Sequence, residues 1–266
     1  MKKYVMLFLI IVLLMNAAAC KNEWILKTSG LKEATQTNQG VATEKQVEDV
    51  EYNKDGIAAK YPKLISGGKE KELNKWNRII SSDFDQILHI YSFNPVPEPT
   101  PVPSAVIPVI LDIRYDIKDN NDKLISILYL AAFHNPYSAH PTDLVYTTNI
   151  NKINSSRSRL GDTVKINEDF VKDFRTWDIV TKNENEEVNK AINDYIAGIS
   201  DEDLLKGFQS ADQIGSKNPW SIYSYYTPDK LGISIGVPNY IGDHVELERE
   251  YTKLKDFIKP ETKILP

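Results

Sequence analysis

Between Lys69 and Leu88 the apolar positions Leu73, Trp76, Ile79, Ile80, Phe84, Ile87 and Leu88 recur at intervals of three and four residues. That spacing predicts an amphipathic helix whose apolar stripe needs a partner surface, most naturally a sheet. Elsewhere the period falls to two. Gly56–Leu64 reads as a strand ending in an extended turn at Tyr61-Pro62, because the residue before proline is held out of the helical region. Val109–Ile117 and Lys123–Phe133 read as a hairpin across the polar turn Lys118–Asp122, followed by a strand at Thr142–Ile153 and a turn at Asn154–Arg159. Leu160–Ile166 is expected to be a short extended piece, and Asp169–Trp177 and Glu184–Ile199 are expected to be helices. Asp201, Glu202 and Asp203 fit the acidic first turn of a further short helix. Trp220–Thr227 and Leu231–Val237 form a second hairpin around Pro228-Asp229-Lys230, with a strand at His244–Glu250 after it. Leu254, Phe257 and Ile258 mark the apolar edge of a short terminal helix. The implied fold class is α+β: antiparallel sheets packed against amphipathic helices, arranged as two small intertwined subdomains over residues 52–155 and 156–266.

The N-terminal pattern is of another kind. Lys2 and Lys3 precede the apolar run Tyr4–Leu14, which has the length and basic flank of a signal-peptide core and is short for a permanent span. Ala17, Ala18 and Ala19 then lead to Cys20, the only cysteine of the chain. A thiol directly after small residues of this kind resembles the lipobox of bacterial lipoproteins. That resemblance implies a signal peptide over residues 1–19, lipid on Cys20 and a membrane-anchored, extracytoplasmic protein. Residues 20–51 carry few large apolar side chains after Leu31, so they cannot offset their own ordering entropy and are read as a flexible tether. Such a tether has a root-mean-square reach of roughly 30 Å. Residues 94–103 alternate proline with other residues, which excludes helix and central strand and fits a long surface loop.

Composition narrows the function classes. A net charge of −5 over 266 residues, without a basic stripe, gives no electrostatic footprint for nucleic acid. A single cysteine forms no internal disulfide, so packing alone must hold an exported domain together. His134 and His140 lie six residues apart with no ligand pattern around them, and no metal or other cofactor is expected. No serine is read as the nucleophile of a strand-to-helix elbow, and no catalytic residue is assigned.

Three stretches together carry a family resemblance. They are Tyr61-Pro-Lys-Leu64 with the helix after it, Tyr137-Ser-Ala-His-Pro141 after a hairpin, and Tyr225-Tyr-Thr-Pro-Asp-Lys-Leu231 leading into Tyr251-Thr-Lys-Leu-Lys-Asp256. In this order they resemble the paired extracytoplasmic domains of RsiV-type anti-sigma factors and of PdaC-type peptidoglycan deacetylases, over residues 52–259. The resemblance implies an envelope-exposed α+β domain. In RsiV-type proteins such a domain binds lysozyme, and in the deacetylases it precedes the catalytic domain.

Two places qualify as candidate ligand contacts. Tyr137 and His140 fall where a rigid scaffold presents a loop. In Trp220–Tyr226 the strand alternation puts Tyr223 and Tyr225 on one face, with serine between aromatic side chains, a composition suited to sugar or protein contact. The expected function is a non-catalytic, lipid-anchored binding module for a cell-envelope ligand, either peptidoglycan or a lysozyme-like protein. The alternatives are an envelope hydrolase pairing His140 with a carboxylate, and a structural assembly lipoprotein.

Overall fold

The computed structural model describes residues 46–54, 56–92, 110–134, 140–180, 185–215 and 220–265. The apolar run, Cys20, the proline-rich segment and Tyr137 lie outside them. Strand β1 (Val47–Lys54) pairs antiparallel with β2 (Ile57–Leu64) along its full length, so regular structure is already present five residues before Tyr52, inside the expected tether. Helix α1 (Glu70–Ser92) follows. Strands β3 (Ile110–Asn120), β4 (Leu124–His134), β5 (Thr142–Asn151) and the short β6 (Ser156–Arg157) complete a six-stranded sheet in chain order. All its pairings are antiparallel except β2 with β3, which run parallel over Ile57–Ala59 only. The parallel pair departs from the antiparallel expectation because α1 lies on the connection between those strands.

Pro62 sits inside β2 and does not end it. Leu64 donates its N–H to the Asn77 side chain of α1 and accepts from it through its C=O, which shows that alternate residues of β2 turn their backbone groups away from β1. Pro62 shares that parity. Its missing donor falls on an edge where β3 has already diverged, so no ladder bond is lost.

The predicted stripe of α1 is the stripe that packs. Trp76, Ile80, Phe84, Ile87 and Leu88 are buried against Leu111, Ile113, Ile127 and Tyr129 of the sheet. Trp76 also donates its indole N–H to Ser155 at 3.1 Å. On the same face Thr148 donates to buried Asp83 at 2.9 Å, and Arg157 closes on that carboxylate at 2.6 Å, tying α1 to β5 and β6.

The remaining chain forms α2 (Leu160–Thr163), α3 (Glu168–Phe174), β7 (Asp178–Ile179), α4 (Glu186–Gly198), α5 (Asp201–Gln209), β8 (Tyr223–Tyr226), β9 (Lys230–Gly236) and β10 (His244–Glu250). A second sheet has the order β7-β10-β9-β8. The helices begin where side chains accept the orphan N–H groups: Asn167 for α3, Asn185 for α4 and Ser200 for α5. Phe170, Phe174, Leu204 and Phe208 pack against Leu231, Ile233, Val245 and Leu247 of the second sheet. The architecture is α+β, and two hydrophobic clusters form its interior. They exchange residues: Leu124 of β4 belongs to the second cluster, while Tyr223 and Tyr225 of β8 belong to the first.

Two expected elements take other forms. Leu160–Ile166 begins as the helical turn α2, because the Asp162 carboxylate accepts from Arg159 N–H and closes the turn. No terminal helix forms at Leu254–Ile258. Instead Ile258 bridges to Val164, and Lys165 and Phe257 share a backbone bond of 2.8 Å.

Candidate functional site

Strand β5 has two faces with different neighbours. Thr148 points to α1, so Thr147 and Asn149 point to the opposite side, where β8 crosses the first sheet. The free edge of β8 is there satisfied by side chains instead of a strand. Asn149 donates to Ser224 C=O at 2.8 Å, and Ser126 Oγ accepts from Tyr226 N–H at 2.9 Å while donating to Asn149 at 2.7 Å. Asp212 is the centre of this junction. Its carboxylate accepts from Ser224 N–H at 2.5 Å, Ser224 Oγ at 2.7 Å, Leu160 N–H at 2.7 Å and Thr147 Oγ1 at 3.3 Å. Burial pushes the Asp212 carboxyl up to about 6, against the downward pull of these four donors.

Tyr223 and Tyr225 do not form an exposed aromatic face. Both are buried, at 6% and 0% exposure. The Tyr223 ring stands edge-on to Tyr146 at 5.2 Å. Tyr225 lies over Gly232, where an added Cβ would come within 2.1 Å of its ring, and its hydroxyl donates to Glu246 at 3.2 Å and Glu248 at 3.0 Å. The physical reason is the crossing of the two sheets, which covers both sides of β8. As candidate ligand contacts these tyrosines are corrected to packing residues.

Two hollows merit comparison. The larger, about 620 Å³, opens where β2 and β3 diverge and holds Lys60, Asp112, Arg114, Tyr115 and Asp116. Its charges are matched within the fold. Arg114 pairs with Asp112 at 2.9 Å, Lys60 with Glu51 at 2.9 Å and Lys118 with Asp116 at 3.1 Å, while Tyr115 bonds to Asp49.

The smaller hollow, about 330 Å³, lies at the start of β5 and the end of the second sheet. Thr142, Leu144 and Val145 form one wall, directly after His140-Pro141, and Ser234, Gly236 and His244 form the opposite one. Ser221 and Asp243 also line it, both with left-handed backbone, at φ +42° and +65°. Asp243 accepts from Asp143 N–H at 3.1 Å and from Asn239 Nδ2 at 3.1 Å. His244 is turned toward Asp143 C=O at 3.4 Å and lies 4.0 Å from Glu246. Burial raises the Asp143 carboxyl above the ordinary range; nearby His244 draws it down, and Asp243 adds to the rise. Ser234 Oγ is buried and has no hydrogen-bond partner, and the same holds for Asp143 Oδ1. Tyr195 lines the hollow, its hydroxyl shifted upward mainly by burial and further by neighbouring Tyr240, and Tyr240 is 78% exposed.

His140 is exposed at the entrance to β5, and it is brought near this hollow by the chain that enters it. Asp143, Ser234 and Tyr195 were not singled out by sequence reasoning. One signal was present: Gly232-Ile-Ser234-Ile-Gly236 has the Gly-x-Ser-x-Gly spacing. It runs along the continuous strand β9, so the strained strand-to-helix turn that exposes a nucleophile is missing there. Among the described residues no group of three or more histidine, cysteine or carboxylate side chains is placed to hold a metal, and no helix is long and apolar enough to cross a membrane.

Comparison with protein-family models gives no match, and comparison with curated proteins gives none. Among solved structures, a DUF3298 family protein from Pseudomonas aeruginosa PAO1 is similar at 13% identity and a TM-score of 0.47, covering 83% of this chain and 96% of its own. A DUF3298 family member from Bacteroides fragilis is similar at 12% identity and a TM-score of 0.45, covering 82% of this chain and 96% of its own.

Proposed function

We propose that this chain is a lipid-anchored, extracytoplasmic binding module that engages a cell-envelope ligand through the hollow at the start of β5. The observation that carries the reading is the composition of that hollow. Thr142, Ser221, Asp243 and His244 set a few polar groups among Leu144, Val145, Val237 and the Tyr195 ring around about 330 Å³, the general make-up of a small-ligand site. His140-Pro141, the described end of the segment Tyr137–Pro141, directly precedes Thr142 in its wall. The lipobox-like Ala17-Ala-Ala-Cys20 supports the envelope address, and the resemblance to RsiV-type and PdaC-type domains supports peptidoglycan or a lysozyme-like protein as the ligand.

The test uses a secreted form without residues 1–19 and with Cys20→Ser, which keeps β1 whole from Val47. Retention on purified peptidoglycan or on immobilised lysozyme is the expected result. Retention on neither overturns the ligand assignment. In cells, Cys20→Ser in the full chain should move the protein from the membrane to the soluble fraction. Persistence in the membrane fraction overturns the lipid anchor.

A further inference from the structure

We propose that a third hollow, about 280 Å³ between β2 and α1, is a binding site for a phosphomonoester group. It shares no lining residue with the hollow at the start of β5, so the two readings stand or fall separately.

The first step is how the walls are held. Asn77 of α1 accepts from Leu64 N–H at 2.8 Å and donates to Leu64 C=O at 2.9 Å, which fixes the end of β2 against the helix. The Tyr61 ring is set by Phe84, 4.4 Å away between centroids. A strand and a helix locked together in this way present their side chains across a hollow that exists before any ligand arrives. Filling such a site costs little ordering.

The second step is charge. Lys63 of β2 and Arg78 of α1 are the charged residues that line this hollow, and both are basic although the chain carries a net −5. Among the described residues neither side chain has an ion-pair or hydrogen-bond partner. The Tyr61 hydroxyl and the Asn74 amide line the same hollow and are likewise uncommitted among the described residues. Two cations and two neutral donors suit a tetrahedral dianion. A phosphomonoester carries a charge of about −1.5 to −2 at pH 7 and several strong acceptor oxygens. Hydrogen bonds to it from lysine and arginine are roughly twice as strong as neutral ones. A carboxylate would match one of the two cations and leave the other unmatched.

The third step is what the surroundings exclude. Glu48 stands opposite Lys63 in the β1–β2 register, and Glu70 lies one turn before Asn74 on α1. Asp85 is close enough to Tyr61 to add to the upward shift that burial gives its hydroxyl. These carboxylates flank the basic pair without lining the hollow. They oppose an extended anionic surface, such as a lipid leaflet or a nucleic-acid backbone. A compact anion held by Lys63 and Arg78 feels them less, because the interaction falls with distance and is screened by salt.

The experiment is a titration of the secreted form with glycerol 3-phosphate at low ionic strength, followed by amide shifts in two-dimensional NMR. Acetate and vesicles of anionic phospholipid are run in parallel. Glycerol 3-phosphate should give saturable shifts at Tyr61, Lys63, Asn74 and Arg78, and acetate should bind at least about five-fold more weakly. Lys63→Gln and Arg78→Gln should each lose about five-fold in affinity with the thermal midpoint unchanged, since both residues are exposed. Lys75→Gln, exposed on the same helix and outside the hollow, should bind as the native chain does. Absence of saturable binding, or acetate binding equally well, overturns the phosphomonoester assignment. An equal loss on Lys75→Gln replaces a defined site by diffuse surface charge and overturns it too. Retention on the vesicles that falls with Lys63→Gln assigns this face to a lipid surface instead. None of these outcomes bears on retention by peptidoglycan or lysozyme, which tests the other hollow.

Discussion

Strand β5 meets the second sheet twice, and the two meetings are built on opposite principles. At Thr147 and Asn149, buried polar groups are matched one to one: Asp212 takes four donors, and Ser126 both donates and accepts. At Thr142–Val145, seven residues or fewer up the same strand, Ser234 Oγ and Asp143 Oδ1 are buried without hydrogen-bond partners. Both ends use serine and aspartate. The difference lies in whether the fold itself supplies the partners. Satisfied polar groups inside a protein fix one arrangement of its layers, whereas buried unpaired ones cost free energy and specify nothing.

The largest expected effect is at the satisfied end. Asp212→Ala would leave the N–H groups of Ser224 and Leu160 buried without acceptors, at about 1–3 kcal/mol each. It would also put alanine at φ +63°, a conformation that costs a further 1–2 kcal/mol or so. A loss of about 4 kcal/mol in urea unfolding is expected. A loss below about 1 kcal/mol would mean that Asp212 does not hold the sheets together.

Strand β9 provides the next contrast, since it runs past both ends. At Gly232 an added Cβ would overlap three atoms of the buried Tyr225 ring at 2.1–2.5 Å. At Gly236, beside the hollow, the nearest atom is Trp220 C=O at 3.1 Å. Gly232→Ala should therefore cost about 3 kcal/mol, because the ring has no free space to move into, and Gly236→Ala about 1 kcal/mol. Equal thermal shifts for the two variants would remove the distinction between a packed end and an open one.

Titration probes the same junction without a deletion. The Asp212 carboxyl is raised to about 6, above the 3.8 of an ordinary aspartate, so the folded chain holds this proton more tightly than the unfolded chain does. Its contribution to stability is fully present below about pH 4 and is lost as pH rises through 6. Two units correspond to ~3 kcal/mol, reduced to about 2 kcal/mol because the residue is not wholly removed from water. The difference in urea midpoint between the native chain and Asp212→Asn, measured at pH 4 and pH 7, isolates this group. A pH-independent difference would place the carboxyl at its ordinary value.

These contrasts also mark what the amino-acid pattern reveals and what it conceals. The α1 stripe, the β3–β4 hairpin and the strand His244–Glu250 are legible because each is specified by its own periodicity. Asp212 is not legible. Its segment carries no periodic pattern, and its partners Thr147 and Leu160 are 65 and 52 residues away. Tyr223 and Tyr225 mislead for a related reason. Alternation predicts one covered face and one open face, but β8 crosses a second sheet and both are covered. At the C-terminus, Leu254, Phe257 and Ile258 have apolar spacing that fits a helix turn, yet backbone bonds from Lys165 to Phe257 and from Lys259 to Thr163 decide the outcome. The hollow is half visible: His140-Pro141 directly precedes its wall at Thr142, while Ser234 is hidden in an ordinary strand.

The smallest effect gives the sharpest test, because it compares two serines of equal burial. Ser126 is 0% exposed and Ser234 is 1% exposed. Replacing Ser126 by alanine removes the acceptor for Tyr226 N–H and the donor to Asn149, leaving two buried polar groups unmatched, and should cost about 2 kcal/mol. Replacing Ser234 by alanine removes a hydroxyl that the fold leaves unsatisfied, so stability should stay within about 0.5 kcal/mol or rise slightly. Chemical denaturation of the two single variants measures both. If Ser234→Ala costs as much as Ser126→Ala, the Ser234 hydroxyl has a partner in the folded protein, and the open end of β5 is another satisfied junction. If it costs nothing, the hydroxyl adds nothing to the fold, and the two ends of β5 differ in how their buried serines are matched.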